Sequence, residues 1–202
     1  MTRGSTARLF VAVDPPGEVC EQLAEWGRSV ARVGRDRVRP NAPLRVLDPE
    51  LLHVTLCFLG NRPVGEMDAL GAQLRECEGA TGELSVGAPL WLPARRPRAL
   101  AVELHDEGGK LARLQADVVE ALEAVSGWQP SGDTRIGEST VARRHFHPHI
   151  TVARMRQGAA PHERVLAPTP SLSFMPGELV LYRSWLSADG ASYEAVASHP
   201  IG

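Results

Sequence analysis

The sequence has few cysteines, no long apolar run and no excess of charge of either sign. Its three cysteines, Cys20, Cys57 and Cys77, are dispersed over 202 residues without CxxC spacing. They therefore predict neither a disulfide framework nor a thiolate metal site. No stretch approaches the roughly 18 apolar residues of a membrane span, and the first residues do not resemble a signal peptide. We expect a globular protein of the cytoplasm that does not enter a membrane.

The balance of charge restricts the class of partner. There are 22 basic and 24 acidic residues, which give a formal net charge of −2. Such a chain lacks the broad positive field that attracts long nucleic-acid duplexes. A nucleic-acid partner should therefore be small or held by its end. The apolar content of 43% is sufficient for a substantial core.

The periodicity of the apolar residues predicts a mixture of helices and strands. Apolar steps of three and four residues indicate helices over about 17–35, 64–77 and 110–125. Strands are predicted at 9–13, 51–59, 84–91, 99–104, 145–153, 172–174, 179–186 and 193–197, with loops over 35–47 and 127–144. Because strands and helices do not alternate strictly, the pattern favours an α+β fold over a doubly wound parallel sheet. We expect residues 1–202 to form one domain.

A short motif occurs twice: HVTL at 53–56 returns as HITV at 149–152. Side chains alternate along a strand, so His53 and Thr55 should share one face while Val54, Leu56 and Phe58 point to the other. The same reasoning places His149 and Thr151 on one face, with Ile150 and Val152 behind them. If the two strands face each other, two imidazoles and two hydroxyls meet in one cleft.

This set of groups suits in-line displacement at phosphorus. One imidazole can remove a proton from water while the other protonates the departing sugar oxygen, since histidine titrates near neutral pH. Threonine hydroxyls can donate hydrogen bonds to the non-bridging phosphoryl oxygens. The scheme requires no metal ion and no cofactor. It makes His53 and His149 the candidate catalytic residues, with Thr55 and Thr151 as substrate ligands.

Longer segments around these motifs resemble a known family. They are RLFVAVD at 8–14, HVTLCFLG at 53–60, FHPHITVAR at 146–154, LYRS at 181–184 and the later Tyr193. In this order and spacing the chain resembles the two-histidine (2H) phosphoesterase superfamily. Within it, the likeness is to the bacterial and archaeal RNA 2′,3′-cyclic phosphodiesterases, long called 2′-5′ RNA ligases.

The resemblance implies a fold and an activity. The fold would be bilobal, with two antiparallel sheets around a central cleft, helices packed outside, two interleaved lobes and a pseudo-two-fold axis. The enzyme would open 2′,3′-cyclic phosphates at RNA ends or on small nucleotides to 2′-phosphomonoesters, with His53 as proton donor and His149 as acceptor. The near symmetry of the motifs leaves these two roles interchangeable. The resemblance also implies the reverse reaction, which joins ends through a 2′-5′ linkage. We expect the protein to be a monomer.

Two further residues are candidates for substrate binding. Arg154 stands where the family places an arginine, although strict alternation points it away from His149. Phe10 has the opposite parity to Leu9 and Val11, and could stack on a base. By the same alternation Cys57, where relatives often carry a basic residue, should lie on the face of His53.

Two alternatives remain open at this point. His145, His147 and His149 could begin a metal site on one strand face, which would indicate a metal-dependent hydrolase. The chain could instead be a non-catalytic module that binds RNA ends, although both motifs are intact. The absence of a P-loop motif predicts no ATP dependence.

Overall fold

The computed structural model describes residues 5–33, 43–77, 79, 81–126, 128, 146–159, 166–187 and 190–201. Within these residues the chain forms nine strands and three α-helices, which confirms the predicted α+β class. The strands are β1 (Thr6–Val13), β2 (Leu44–Val46), β3 (Val54–Pro63), β4 (Leu84–Leu92), β5 (Ala99–His105), β6 (His149–Met155), β7 (Ser173–Phe174), β8 (Glu178–Ser187) and β9 (Gly190–Pro200). The helices are α1 (Gly17–Val33), α2 (Met67–Leu74) and α3 (Lys110–Ser126).

All strand pairs are antiparallel, and the strand order is β7-β4-β5-β6-β3-β1-β8-β9, with β2 beside β6. The two motif strands, β3 and β6, lie next to each other in the middle of this order. They are joined by a single residue pair, Val54 with Ile150. The two antiparallel halves that the resemblance implied are therefore present: β2, β4, β5, β6 and β7 form one half, and β1, β3, β8 and β9 form the other. The pair of Val54 with Ile150 connects them into a continuous sheet.

The helices cover the sheet in a crossed arrangement. Helix α1 follows β1 in the chain but packs on β2 and β6, in the other half. Helix α3 follows β5 but packs on β3, and α2 packs on β8 and β9. Most of the predicted apolar stripe of α3 is buried, with Leu111, Leu114, Val118 and Leu122 at most 1% exposed. Its last predicted member, Val125, is exposed. None of the described helices is long and apolar enough to cross a membrane.

Some element boundaries differ from the prediction. Strand β3 continues to Pro63, although a stop was expected at Gly60, because Gly60 takes φ +73° within the strand and Pro63 lies at its end. The second helix is shorter than predicted, because residues 64–66 form a 3-10 turn before Met67. Strand β2 was predicted as loop. Residues 34–42 and 129–145, most of the two predicted loops, lie outside the described residues.

Candidate active site

The polar residues of both motifs project from the same face of the sheet. Val54 and Ile150 pair in antiparallel register, and both are fully buried. Because side chains alternate, the residues on either side of this pair point away from the core. In antiparallel register each histidine then lies alongside the threonine of the other motif. All four polar residues are half-buried: His53, Thr55, His149 and Thr151.

The two histidines make the same hydrogen bond to the backbone. The Nδ1 atom of His53 is 2.8 Å from the carbonyl oxygen of Leu51, and that of His149 is 2.9 Å from the carbonyl oxygen of His147. A carbonyl oxygen only accepts, so Nδ1–H must donate in both rings. In the neutral ring, Nε2 then carries the free lone pair. Both imidazoles are thus held in the tautomer that exchanges protons through Nε2.

Aromatic rings surround the imidazole of His53. The ring of Phe10 lies 4.9 Å from it between centroids, and the ring of Tyr193 lies 5.2 Å away, nearly edge-on. The pKa of His53 is lowered to about 4, mainly by burial and in smaller part by the charges of Arg154 and His149, while the bond to Leu51 opposes the shift. The effect of His149 is consistent with two imidazoles in one site. In the ligand-free cleft at neutral pH, the His53 ring is uncharged.

Behind the ring of Phe10, Tyr182 and Asp14 form a second layer that holds this ring in place. Tyr182 stacks on Phe10 at 5.2 Å, and its hydroxyl donates a 2.6 Å hydrogen bond to Oδ2 of Asp14. Burial raises the pKa of Tyr182, and so does the bond to Asp14; burial also raises the pKa of Asp14. The tyrosine therefore stays protonated and keeps this bond at neutral pH. The chain Asp14–Tyr182–Phe10 supports one side of the His53 ring.

Each motif strand carries one extra residue directly after its threonine. In β3, Thr55 pairs with Ala12 and Cys57 pairs with the next residue of β1, Val11, so Leu56 between them is a β-bulge. In β6 the pairing with β5 passes from Thr151 to Ala153, so Val152 is a β-bulge. An extra residue reverses the alternation of the strand beyond it. The fifth residue after each histidine consequently returns to the cleft face.

These bulges correct the predictions based on strict alternation. Cys57, predicted to share the face of His53, is 8% exposed and packs in the core opposite Val11. Phe58, predicted to point to the core, lines the cleft and is 41% exposed. Arg154, which alternation pointed away from His149, also lines the cleft and is exposed. Burial raises the pKa of the Cys57 thiol to about 12, so this thiol is protonated at neutral pH.

The face of the motifs opens into a cleft of about 590 Å³. Its walls come from β1, β3, β8 and β9 on one side and from β2 and β6 on the other. His149 and Thr151 do not line the enclosed part of this cleft, although the register places them on its face. The residues that do are Arg8, Phe10, Arg45, His53, Thr55, Phe58, Arg154, Met155, Arg156, Gln157, Ser184, Ser187, Gly190, Ala191 and Tyr193.

Phe10 lines this cleft but is only 4% exposed, because its ring is already packed between His53 and the two tyrosines. Its contact with His53 suits a support for the imidazole, and stacking on a base stays a prediction. Phe58 and Tyr193 also line the cleft, although neither was predicted as a site residue. Tyr193 could have been found as the aromatic residue of the last predicted strand, whereas Phe58 was hidden by the bulge.

The alternative metal site receives no support from the described part of the chain. His147 is exposed and precedes β6, which begins at His149, so it does not extend that strand face. His145 lies outside the described residues. Among those described, no group of three or more His, Cys, Asp or Glu residues is placed to hold a metal ion.

No protein-family model matches the chain. The crystal structure of Escherichia coli LigT complexed with 3′-AMP has a similar fold, with a TM-score of 0.71 and 24% identity over 98% of this chain and 99% of that one. On this fold, the two HxT motifs lie side by side on adjoining strands, the arrangement by which the chain resembles the two-histidine phosphoesterases.

Two curated relatives make the assignment more specific, and both are named RNA 2′,3′-cyclic phosphodiesterase. The Thermus thermophilus protein is 33% identical over 195 residues, which cover 92% of this chain and 86% of the relative. The Geobacillus stearothermophilus protein is 31% identical over 208 residues, or 96% of this chain, and the chain spans 57% of that relative's length. The chain belongs to the RNA 2′,3′-cyclic phosphodiesterase family.

Proposed function

We propose that this protein hydrolyses 2′,3′-cyclic phosphates at RNA ends to 2′-phosphomonoesters, with His53 and His149 as its acid–base pair and without a metal ion. The observation that carries the proposal is the identical Nδ1 hydrogen bond of the two imidazoles, which lie on one face of adjoining strands. The shared name of the relatives supports the substrate class. The nucleotide in the LigT crystal indicates that this fold accepts a nucleoside phosphate.

In the proposed reaction, water attacks phosphorus in line with the P–O3′ bond. Nε2 of His149 accepts a proton from the water as the new P–O bond forms. The P–O3′ bond breaks, and Nε2 of the protonated His53 donates its proton to O3′. Thr55 and Thr151 donate hydrogen bonds to the non-bridging oxygens, which carry the negative charge in the transition state. The product is a 2′-phosphomonoester with a free 3′-hydroxyl.

The donor role of His53 requires a protonated ring, although its pKa in the empty cleft is about 4. A bound phosphate brings a negative charge next to the imidazole and favours its charged form. Substrate binding would thus raise the pKa of His53 towards its ordinary range. With a 5′-hydroxyl in place of water, the same proton transfers would form a 2′-5′ linkage without ATP.

The test of the proposal is the loss of either imidazole. We expect His53→Gln and His149→Gln each to reduce kcat on 2′,3′-cyclic AMP by about 10²–10⁴-fold, the usual contribution of one proton-transfer group. His105→Gln, an exposed residue that does not line the cleft, is the matched control. Circular dichroism monitors folding, and phosphorus NMR locates the phosphate of the product.

Three outcomes would contradict parts of this proposal. Wild-type kcat in either cleft variant would remove the two-histidine mechanism. Activity that is lost on exhaustive chelation and restored by added metal would favour the metal-dependent alternative. Tight binding of a 2′-phosphorylated nucleotide without turnover of any cyclic phosphate would identify a binding module.

A further inference from the structure

An arginine lies over an aromatic ring in the cleft, and the proposed reaction uses neither residue. Cζ of Arg8 is 4.6 Å from the centroid of the Phe58 ring. Both residues line the cleft, and Phe58 is 41% exposed there. The cation–π contact restrains the long side chain of the arginine. A planar group with several N–H donors is therefore held at the wall of the cleft.

The pairing of the strands explains why both side chains enter the cleft. Arg8 and Phe10 are two residues apart on β1 and share its cleft face. Phe10 is the register partner of Phe58 on β3, so the ring of Phe58 lies on this face as well. On the other side of β1, Ser184 pairs with Arg8 and donates a 3.3 Å hydrogen bond to its carbonyl oxygen. The backbone that carries Arg8 is therefore fixed by strands on both sides.

The protein does not use the N–H donors of Arg8 itself. Within the part of the chain that the structure describes, this guanidinium group makes no ion pair and donates no hydrogen bond. The described residues that line the cleft also include no Asp or Glu. An arginine carries five N–H donors, and here they are available to the acceptor atoms of a bound ligand.

The position of this pair along the strands determines which part of a ligand it meets. Thr55 is the register partner of Ala12, and Phe58 is the partner of Phe10, two residues away on β1. Phe58 and the guanidinium group of Arg8 over it therefore lie about 7 Å along the strand from Thr55. This separation is comparable to that between the 2′,3′-phosphate and the base of one nucleotide. A phosphate held at the motif threonines can thus place its own base at Arg8 and Phe58.

The donors of a guanidinium group distinguish the four bases. Two parallel N–H groups pair best with two neighbouring acceptors, which guanine presents as O6 and N7 and cytosine as O2 and N3. Adenine places an amino donor beside N7, and uracil has an N3–H donor between its two oxygens, so in both a donor faces the arginine.

The exposed ring of Phe58 favours a base over another phosphate at this place. Bases of single-stranded RNA stack on aromatic rings and on guanidinium planes. The face of an aromatic ring is negative and repels an anion. The combination of Arg8 with Phe58 therefore suits a flat, neutral group that accepts hydrogen bonds.

We propose that Arg8, held by Phe58, contacts the base of the terminal nucleotide and selects bases with two neighbouring acceptors, guanine and cytosine, over adenine and uracil. This inference rests on the proposed function for the position of the cyclic phosphate. It concerns the base alone, whereas the shared name of the relatives specifies the cyclic phosphate.

Turnover of the 2′,3′-cyclic phosphates of guanosine, cytidine, adenosine and uridine tests the selection. We expect wild-type kcat/KM for guanosine or cytidine to exceed that for adenosine and uridine by about 5-fold or more, the lower end for one bidentate contact to a base. Arg8→Lys keeps the charge but removes the paired donors, and Phe58→Leu removes the ring. Each variant should reduce the preference to about 2-fold or less, because a single donor no longer distinguishes the bases.

The chain provides a matched control in Arg183, whose Cζ lies 4.7 Å from the ring centroid of Trp185. This contact is of the same kind, but neither residue lines the cleft. Arg183→Lys should therefore keep the wild-type preference. Circular dichroism checks that all three variants are folded.

The four substrates also distinguish which pair of acceptors is bound. A preference for guanosine alone would assign the contact to O6 and N7, and a preference for cytidine alone would assign it to O2 and N3. Equal kcat/KM for all four substrates in the wild type would overturn the inference, as would a highest value for adenosine or uridine. A wild-type preference that persists in Arg8→Lys would also overturn it.

A binding measurement separates this inference from the proposed function. By calorimetry, the wild type should bind the 2′-monophosphate of guanosine or cytidine about 5-fold or more tightly than those of adenosine and uridine, and Arg8→Lys should remove the difference. This result without turnover of any cyclic phosphate would refute the proposed function and leave the base contact in place. Equal affinity for all four ligands would refute the base contact, whatever the catalytic activity.

Discussion

At the scale of single residues, the setting of His53 links the stability of the protein to its chemistry. The ring is held by one backbone carbonyl and is otherwise surrounded by Phe10 and Tyr193. These neighbours favour the neutral imidazole and leave Nε2 as its reactive atom. The same surroundings therefore oppose protonation of the ring in the ligand-free protein.

This setting predicts a dependence of stability on pH. Below about pH 6.5 the unfolded chain binds a proton at His53, whereas the folded protein does not until about pH 4. The neutral ring thus makes its full contribution to the free energy of unfolding above pH 6.5, and this contribution is lost as the pH falls towards 4. The loss should amount to at most about 3 kcal/mol in the free energy of unfolding.

Urea denaturation at pH 7, 5.5 and 4 measures this contribution. The difference in unfolding free energy between the wild type and His53→Gln should decrease by that amount from pH 7 to pH 4. Taking this difference cancels the contribution of groups that titrate equally in both proteins. A constant difference between the two proteins would show that His53 titrates normally in the folded state. Addition of adenosine 2′-monophosphate should raise the pKa of His53 in an NMR titration.

At the scale of elements, the bulges at Leu56 and Val152 determine which side chains enter the cleft. The alternation of apolar and polar residues correctly predicted that Val54 and Ile150 are buried behind the motif. It failed beyond the bulge at Leu56, at Cys57 and Phe58, because a bulge depends on pairing with a neighbouring strand. That pairing involves β1 or β5, which are distant in sequence, so no local pattern reports it.

The bulge in β6 is packed directly against helix α1. A Cβ atom on Gly27 would lie 2.6 Å from Cγ1 of Val152 and 3.3 Å from Cγ1 of Val46. Gly27 therefore permits the close approach of the helix to β2 and β6, at the cost of a glycine in a helix interior. Helix α1 is therefore in direct contact, at Gly27, with the bulge residue Val152 of the cleft strand β6.

We expect Gly27→Ala to destabilise the protein by about 1–3 kcal/mol, because the overpacking exceeds the gain in helix propensity. Gly17→Ala, at the first residue of the same helix and with no atom within 4 Å of the added Cβ, is the control. Urea denaturation measures both variants. Wild-type or greater stability of Gly27→Ala would show that Val152 moves aside without cost.

At the scale of the whole molecule, two weakly joined halves are bound together by the helices. Within the described residues, the strands of the two halves pair only at Val54 and Ile150. Helices α1 and α3 each pack on the half opposite to the strand that precedes them. Neither half can therefore bury its apolar face without chain from the other. This crossing supports the prediction that residues 1–202 form one domain, which the next experiment tests.

Unfolding should accordingly be a single cooperative transition. Far-UV circular dichroism and tryptophan fluorescence should give the same urea midpoint, since Trp26 on α1 and Trp185 on β8 report on different halves. Two separated transitions would indicate that the halves fold independently, and would contradict the one-domain prediction.

Much of the site was predictable because its chemistry is concentrated in two short motifs. The motifs predicted His53, His149 and their threonines as site residues, and the structure places them on adjoining strands. The resemblance supplied the arrangement of the two halves. The arginine lining of the cleft was not predicted, because Arg8 and Arg45 lie outside the two motifs and Arg45 falls in a segment predicted as a loop. Net charge also gave no indication of it, since composition averages over the faces of a molecule.

The bulges after Thr55 and Thr151 have a consequence for how such clefts diverge. Deleting Leu56 or Val152 would exchange the inward and outward side chains of the remaining strand in one genetic event. Substituting Phe58 or Arg154, by contrast, would alter what the cleft recognises and leave both imidazoles where they are. Ligand preference in this architecture can therefore evolve by point substitution, whereas a change in strand length is destructive.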